Sequence, residues 1–252
     1  ALGPYLYPLH THLPLAITLC LLSHERLWPV ISVLTAYLCC QLRRWLALVC
    51  VWAFSGGDRM QYAVELIVTL PLLGAVDFGW FFYVLSFLLI IGMVNAVNLT
   101  DGLDGLCTGV TFVSMLGYLL AGSLLGFVHV SLIAAATAGA CAGFLVWNFY
   151  PAKVFMGDTG SMFFGGIVTA LAFVMQRPEL VLFFGIVYIW DAMTVVIQRT
   201  YFKATHGKRI FRMTPIHHAF EMRGWREVKI DGFFALIAVI GVAMGIFYIC
   251  VA

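Results

Sequence analysis

Charge is what this sequence has least of. Of its 252 residues only 10% are Asp, Glu, Lys or Arg, against 63% apolar, whereas an average soluble domain is about a quarter charged. Mean hydropathy is +1.00. A water-soluble fold of this size could not hide so much apolar surface, which excludes a disordered chain, a collagen-like chain and a nucleic-acid binder. No C-x-x-C pair occurs among the seven cysteines (Cys20, Cys39, Cys40, Cys50, Cys107, Cys141 and Cys250). They lie in or beside apolar runs, so they read as small packing residues rather than a zinc site or a disulfide framework. No H-E-x-x-H is present, and no cleavable signal peptide is visible. The sequence begins at Ala1 without methionine, as a trimmed chain would.

The expected fold is all-α, a polytopic transmembrane helix bundle of about 8–10 spans, organised as a single integral-membrane domain over 1–252. A span needs about 20 mostly apolar residues. Such runs are expected at 63–76, 78–96, 109–125, 127–148, 161–175, 180–197 and 232–251. Asp77, Gly126 and Gln176-Arg177-Pro178-Glu179 supply the breaks. Residues 1–55 are less regular, with helices expected at Leu13–Leu22 and Leu27–Leu42 and a short apolar segment at Trp45–Phe54. Eight of the fourteen Lys and Arg residues fall between Arg199 and Lys229, so the positive-inside rule places that segment in the cytoplasm. Even numbers of spans separate it from the polar loops at 149–160 and 98–106, which puts all three on the same face. The run Ala134–Gly143 holds a G-x-x-x-G of small residues that admits a second helix closely, within the bundle or from another subunit.

The chemistry is concentrated in those three loops. The first contains Asn95, Asn98, Asp101, Gly102, Leu103, Asp104 and Gly105. A helical turn would put Asp101 and Asp104 on one face, and carboxylates at a membrane boundary without a basic neighbour bind a cation or cap a helix. The two glycines permit tight backbone turns near a ligand. Asn98-Leu99-Thr100 matches a glycosylation sequon, an accidental match in a cytoplasmic loop. The second loop runs from Asn148 to Ser161; Pro151 ends the preceding helix. Asp158-Thr159-Gly160-Ser161 opens the next, where Asp158 is an N-cap or a ligand for Mg²⁺. Phe155 is ordinary packing or a platform for a base. In the third loop, His217 and His218 follow Pro215 among many cations, a setting suited to phosphate or sugar oxygens. Its cations also fit topology signals or lipid headgroup contacts. Together the loops equip a cytoplasmic face for a phosphate-rich soluble substrate meeting a lipid.

N-x-x-N-x-x-D-G-x-D-G-L at Asn95–Leu106, F-M-G-D-T-G-S at Phe155–Ser161 and G-K-R-I-F-R-M-x-P-I-H-H at Gly207–His218 resemble the polyprenyl-phosphate N-acetylhexosamine-1-phosphate transferase superfamily. The last motif, with Phe220-Glu221 and Gly224-Trp225, is similar to its bacterial MraY branch, the phospho-N-acetylmuramoyl-pentapeptide transferases. The resemblance covers about Gly57 to the C-terminus. It implies a ten-helix, usually homodimeric enzyme of the bacterial cytoplasmic (inner) membrane. Such an enzyme acts in peptidoglycan biosynthesis and moves phospho-MurNAc-pentapeptide from UDP to undecaprenyl phosphate, giving lipid I and UMP with Mg²⁺. It also implies Asp101, Asp158 and His217 as catalytic residues, with Asp158 the metal ligand. Substrate would be bound by Asn98, Gly102, Leu103, Asp104, Asn148, Phe155, Gly157, His217 and His218, with Phe155 stacked on uracil.

Two departures stand against the resemblance. Ala219 occupies the third position of the family's triple-histidine motif, and the family's early Asp-Asp pair has no counterpart, since no Asp-Asp occurs in the sequence. The early Gly-Thr-Pro loop and its basic residue are absent too. The undersized Trp45–Phe54 segment and the Arg43-Arg44 junction are what missing intervening residues would leave. An intact mass near 27.9 kDa would overturn that expectation, and a crippled enzyme is then expected. A UDP-GlcNAc or other HexNAc-1-phosphate transferase is the nearest alternative. A nucleotide-sugar transporter is the remote one, which would place polar groups at the bilayer midplane. Only Glu65 and Asp191 are acids well inside apolar segments.

Overall fold

The computed structural model describes residues 67–70, 74–77 and 81–251. The helices expected at Leu13–Leu22 and Leu27–Leu42, the Trp45–Phe54 segment and Glu65 lie outside these residues. The described chain is helical apart from one short hairpin. Strands β1 (Ile67–Leu70) and β2 (Gly74–Asp77) pair antiparallel, Ile67 opposite Asp77 and Leu70 opposite Gly74. This hairpin replaces the helix expected at 63–76. The segment is too short to span, Pro71 interrupts it, and Ile67, Val68 and Thr69 are β-branched.

Eight helices follow: α1 (Phe81–Thr100), α2 (Leu106–Leu125), α3 (Val128–Asn148), α4 (Gly157–Val174), α5 (Leu180–Phe184), α6 (Ile186–Ala204), α7 (Ile216–Glu221) and α8 (Glu227–Val251). Among the described residues four of them, α2, α3, α4 and α8, are long and apolar enough to cross a membrane, and α1 adds a shorter apolar stretch, Val84–Thr100. The chain is thus a polytopic helical membrane protein. The span expected at 180–197 is corrected: it breaks at Gly185 into α5 and α6, and α6 runs on to Ala204. There Ser114 Oγ on α2 donates to the Phe184 carbonyl at 2.7 Å, which gives the C-terminal end of α5 an acceptor bond inside the core.

The core gathers Met93 and Val97 of α1, Met115 and Tyr118 of α2, Val168 of α4, Tyr188 of α6 and Phe234 of α8, all essentially buried. Helix α4 lies so close to α1 that a Cβ on Gly165 would sit 2.6 Å from the Val94 Cα, hence the need for glycine. On α3, Ala134, Ala138 and Cys141 are buried. Gly139 and Gly143 face outward with nothing within 4 Å of where a Cβ would stand. The packing inside this chain therefore uses the opposite edge of the small-residue run. Helix α8 begins earlier than the expected span, at Glu227, while α4 opens at Gly157, where the Asp158-Thr159-Gly160-Ser161 motif puts its start. Asp158 thus sits in the opening turn of α4, where exposed N–H groups favour its charge.

Candidate active site

Four segments distant in sequence meet at one end of the bundle: the last turn of α1 with the turn 101–105, the start of α4, the 149–156 loop, and α7. All three polar loops therefore share one side, as the span count requires. Asn98 lies near the end of α1, and its Nδ2 donates to Asp158 Oδ1 at 3.1 Å and to Ser161 Oγ at 2.9 Å. Ser161 Oγ in turn bonds the Gly157 carbonyl at 3.2 Å. The amide thus ties α1 to the first turns of α4 and fixes one carboxylate.

A cleft of about 270 Å³ opens here, lined by Asn98, Asp101, Gly102, Leu103, Asp104, Asn148, Phe155, Gly157 and Asp158. Every substrate-binding residue expected from the sequence lines it except the two histidines. No Lys or Arg lines it, so its field is acidic. Burial, and then the neighbouring charge of Asp158, push the Asp101 carboxyl up to about 6 from 3.8. Phe155 is 74% exposed, an unpacked ring available to stack on a planar ligand.

The structure separates the two Asp residues of the first motif. They sit in a turn rather than on a helix face. Asp101 faces Asp158, while Asp104 Oδ2 accepts the Ala152 N–H at 2.9 Å and so fastens the first loop to the second. Asn148 is also a strut. Its Oδ1 accepts from Thr108 Oγ1 at 2.7 Å and its Nδ2 donates to the Val154 carbonyl at 3.0 Å. Gly105, at φ 80°, makes the entry into α2 that an L side chain would strain.

His217 is fully buried. Its Nδ1 lies 2.7 Å from Asp191 Oδ2, and Asp191 Oδ1 also accepts the Ile216 N–H at 3.0 Å. Asp191 is itself fully buried on α6, and both of its oxygens are used. Nε2 of His217 has no hydrogen-bond partner and points at Gly102, where any Cβ would overlap it. His218 Nδ1 meets Glu221 Oε2 at 3.0 Å, and its Nε2 would stand 3.1 Å from the same Cβ. Both imidazoles thus reach the cleft's rim at Gly102, which is glycine for space rather than for backbone angle. Ala219 is buried on α7.

Sequence reasoning undervalued three residues here. Asp191 reads from the sequence only as an intramembrane acid, although an acid in an apolar segment is itself a signal that a buried partner exists. Ser161 was noted only as part of its motif. Asp231, one turn into α8, was missed; it is buried with neither oxygen hydrogen-bonded and interacts with Glu227 and Asp104.

The arrangement fits a hard divalent cation. Among the described residues no three His, Cys, Asp or Glu side chains are grouped to hold a metal by themselves. Mg²⁺ keeps several waters and takes one or two carboxylates plus substrate phosphates, and Asp158 with Asp101 offers that. The raised Asp101 carboxyl marks a place where added positive charge is favourable.

The chain matches the profile of the family described as Glycosyl transferase family 4 over residues 30–176. It is 46% identical over 171 residues to a phospho-N-acetylmuramoyl-pentapeptide-transferase of Limosilactobacillus fermentum, covering 68% of this chain and 53% of that protein. A protein of the same description from Acetivibrio thermocellus is 43% identical over 184 residues, 71% and 56% of the two chains. One from Clostridioides difficile is 48% identical over 166 residues, 66% and 51%. The chain spans about half the length of the curated relatives it matches.

Proposed function

From its membership of glycosyl transferase family 4, we propose that this chain is a phosphoglycosyl transferase of the phospho-N-acetylmuramoyl-pentapeptide type. In this reading, phospho-MurNAc-pentapeptide passes from UDP to undecaprenyl phosphate at the cytoplasmic face of the bacterial inner membrane, yielding lipid I and UMP. The observation that carries it is the convergence of Asn98, Asp101, Asp158 and Phe155 on one cation-free cleft.

Each residue then has a task. Phe155 stacks on the uracil, the Gly102–Leu103 backbone bounds the base, and Asp104 with Asn148 keeps the two loops in register. Asp158, oriented by Asn98, would hold Mg²⁺, with Asp101 as the neighbouring carboxylate. When bound, the ion neutralises the diphosphate and the charge that develops on departing UMP. His217, braced by Asp191, presents Nε2 at Gly102, where it donates to or accepts from a phosphate or sugar oxygen. The lipid phosphate attacks the sugar-linked phosphorus, and the P–O bond to UMP breaks. The outward Gly139 and Gly143 suit a subunit contact, in keeping with a homodimer.

UMP release from purified protein with UDP-MurNAc-pentapeptide, undecaprenyl phosphate and Mg²⁺, run against EDTA, tests the reading. Release that requires both lipid and metal is expected. Equal or faster turnover of UDP-GlcNAc would replace it with the HexNAc-1-phosphate reading. Uptake of nucleotide sugar into proteoliposomes without UMP release would replace it with transport.

A further inference from the structure

A second cleft, of about 310 Å³, lies along α6 and the segment that follows it, lined by Val195, Gln198, Arg199, Phe202, Arg209, Arg212, Met213 and Thr214. Its polarity is opposite to that of the first, with three guanidiniums and no acid. Among the described residues none of the three arginines has a carboxylate partner. We propose that this cleft binds the phosphate head of an anionic membrane phospholipid, at a site separate from the nucleotide-sugar cleft.

Three observations carry the proposal. The cluster is built: Gln198 Oε1 accepts the N–H groups of both Ile210 and Phe211 at 3.0 Å. That pins the segment against α6 and holds Arg209 and Arg212 beside Arg199. Arg209 also lies over the Phe202 ring at 5.9 Å. A run of cations serving only as a topology signal needs no such arrangement, because the positive-inside rule counts charges without fixing their positions. Next, the cleft stands where α6 changes character. The helix before Gln198 exposes Val196 and Ile197, while Arg199 and Lys203 follow. An apolar-to-cationic change along one helix is the pattern of a membrane interface. Last, the cleft's surroundings suit an amphiphile rather than a free anion. Phe202, Ile210 and Met213 are all more than 40% exposed beside the guanidiniums, offering apolar surface to acyl chains while the arginines take the phosphate.

Native mass spectrometry of the purified protein with phosphatidylglycerol or phosphatidylcholine tests this. Retention of phosphatidylglycerol is expected in the wild type. The combined Arg199→Gln, Arg209→Gln and Arg212→Gln variant should weaken it at least ~10-fold, on the usual contribution of a cation near an anionic lipid surface. The pair Arg223→Gln and Arg226→Gln, elsewhere in the cationic segment, should leave it unchanged. If the triple variant does not fold, Arg209→Gln and Arg212→Gln alone should each weaken retention about fivefold. Undiminished retention in these variants would overturn the proposal, as would equal loss in the control pair. Displacement by undecaprenyl phosphate would assign the cleft to that lipid and overturn it too. Displacement by millimolar inorganic phosphate would show a plain anion site, which also overturns it.

Discussion

The two clefts are near-mirror images in charge. One is lined by Asp101, Asp104 and Asp158 with no cation, the other by Arg199, Arg209 and Arg212 with no acid. Each lacks the countercharge that the other has in excess, yet the chain does not let them neutralise each other. A fold selected only for stability would pair some of these groups. Unpaired like charges cost stability through repulsion and desolvation, so their separation reads as an allotment to different ligands. The acidic cleft suits a divalent cation with phosphates, and the basic one a phosphate without a metal.

Removing one charge from the acidic cleft should break this contrast most severely. Asp158→Asn is expected to lower kcat at least ~10²-fold, roughly 3 kcal/mol of transition-state stabilisation. Near-normal kcat at saturating Mg²⁺ would take Asp158 out of the metal role. Asp191→Ala attacks the brace behind His217. It strands the Ile216 N–H and an imidazole nitrogen in a buried setting, which costs about 1–3 kcal/mol for each unsatisfied group. A clear drop in the unfolding midpoint in detergent is expected, and an unchanged midpoint would mean that the pair contributes nothing to the fold. Phe155→Ala should raise KM for the uridine donor with kcat little changed, since base–aromatic stacking contributes about 1–3 kcal/mol. Phe155→Trp should restore KM, and a fall in kcat alone would refute stacking.

The smallest effect concerns pH. In EDTA, Asp101 keeps its proton to about pH 6. Because its folded value lies above the unfolded one, ionisation opposes the fold. Metal-free protein should therefore lose stability as pH rises from about 4 to about 6 and then level off. Mg²⁺ should raise the unfolding midpoint more at pH 7.5 than at pH 5. A midpoint flat across that range would show that Asp101 is not perturbed.

Much of this was legible in the sequence where punctuation is local. Helices α2 and α3 lie within three residues of their expected bounds, because Gly126 at φ 78° and the turn leading to Pro151 are breakers acting on their own neighbours. The acidic cleft was legible too, since Asp101 and Asp158 sit in motifs whose spacing carries meaning. The break at Gly185 was not. Nothing in the Leu180–Ile197 run is a strong helix breaker, and the break is held by Ser114, 70 residues before the carbonyl it bonds. The Asp191–His217 pair is likewise 26 residues apart and joins two helices, so no local pattern announces it. The hairpin at 67–77 went unread because an apolar run of that length suits either state.

Gly102 is where two halves of the site meet. The carboxylates of the site are set by α1 and α4, which touch almost backbone to backbone at Gly165. The imidazoles arrive on a six-residue helix that Asp191 holds from behind through the His217 ring and the Ile216 N–H, and they meet the first loop across a residue without a side chain. Any side chain at that meeting point would press on both rings at once. The site thus closes from two sides, a carboxylate half cast into the bundle and an imidazole half anchored on a buried acid, with one bare stretch of backbone as the seam.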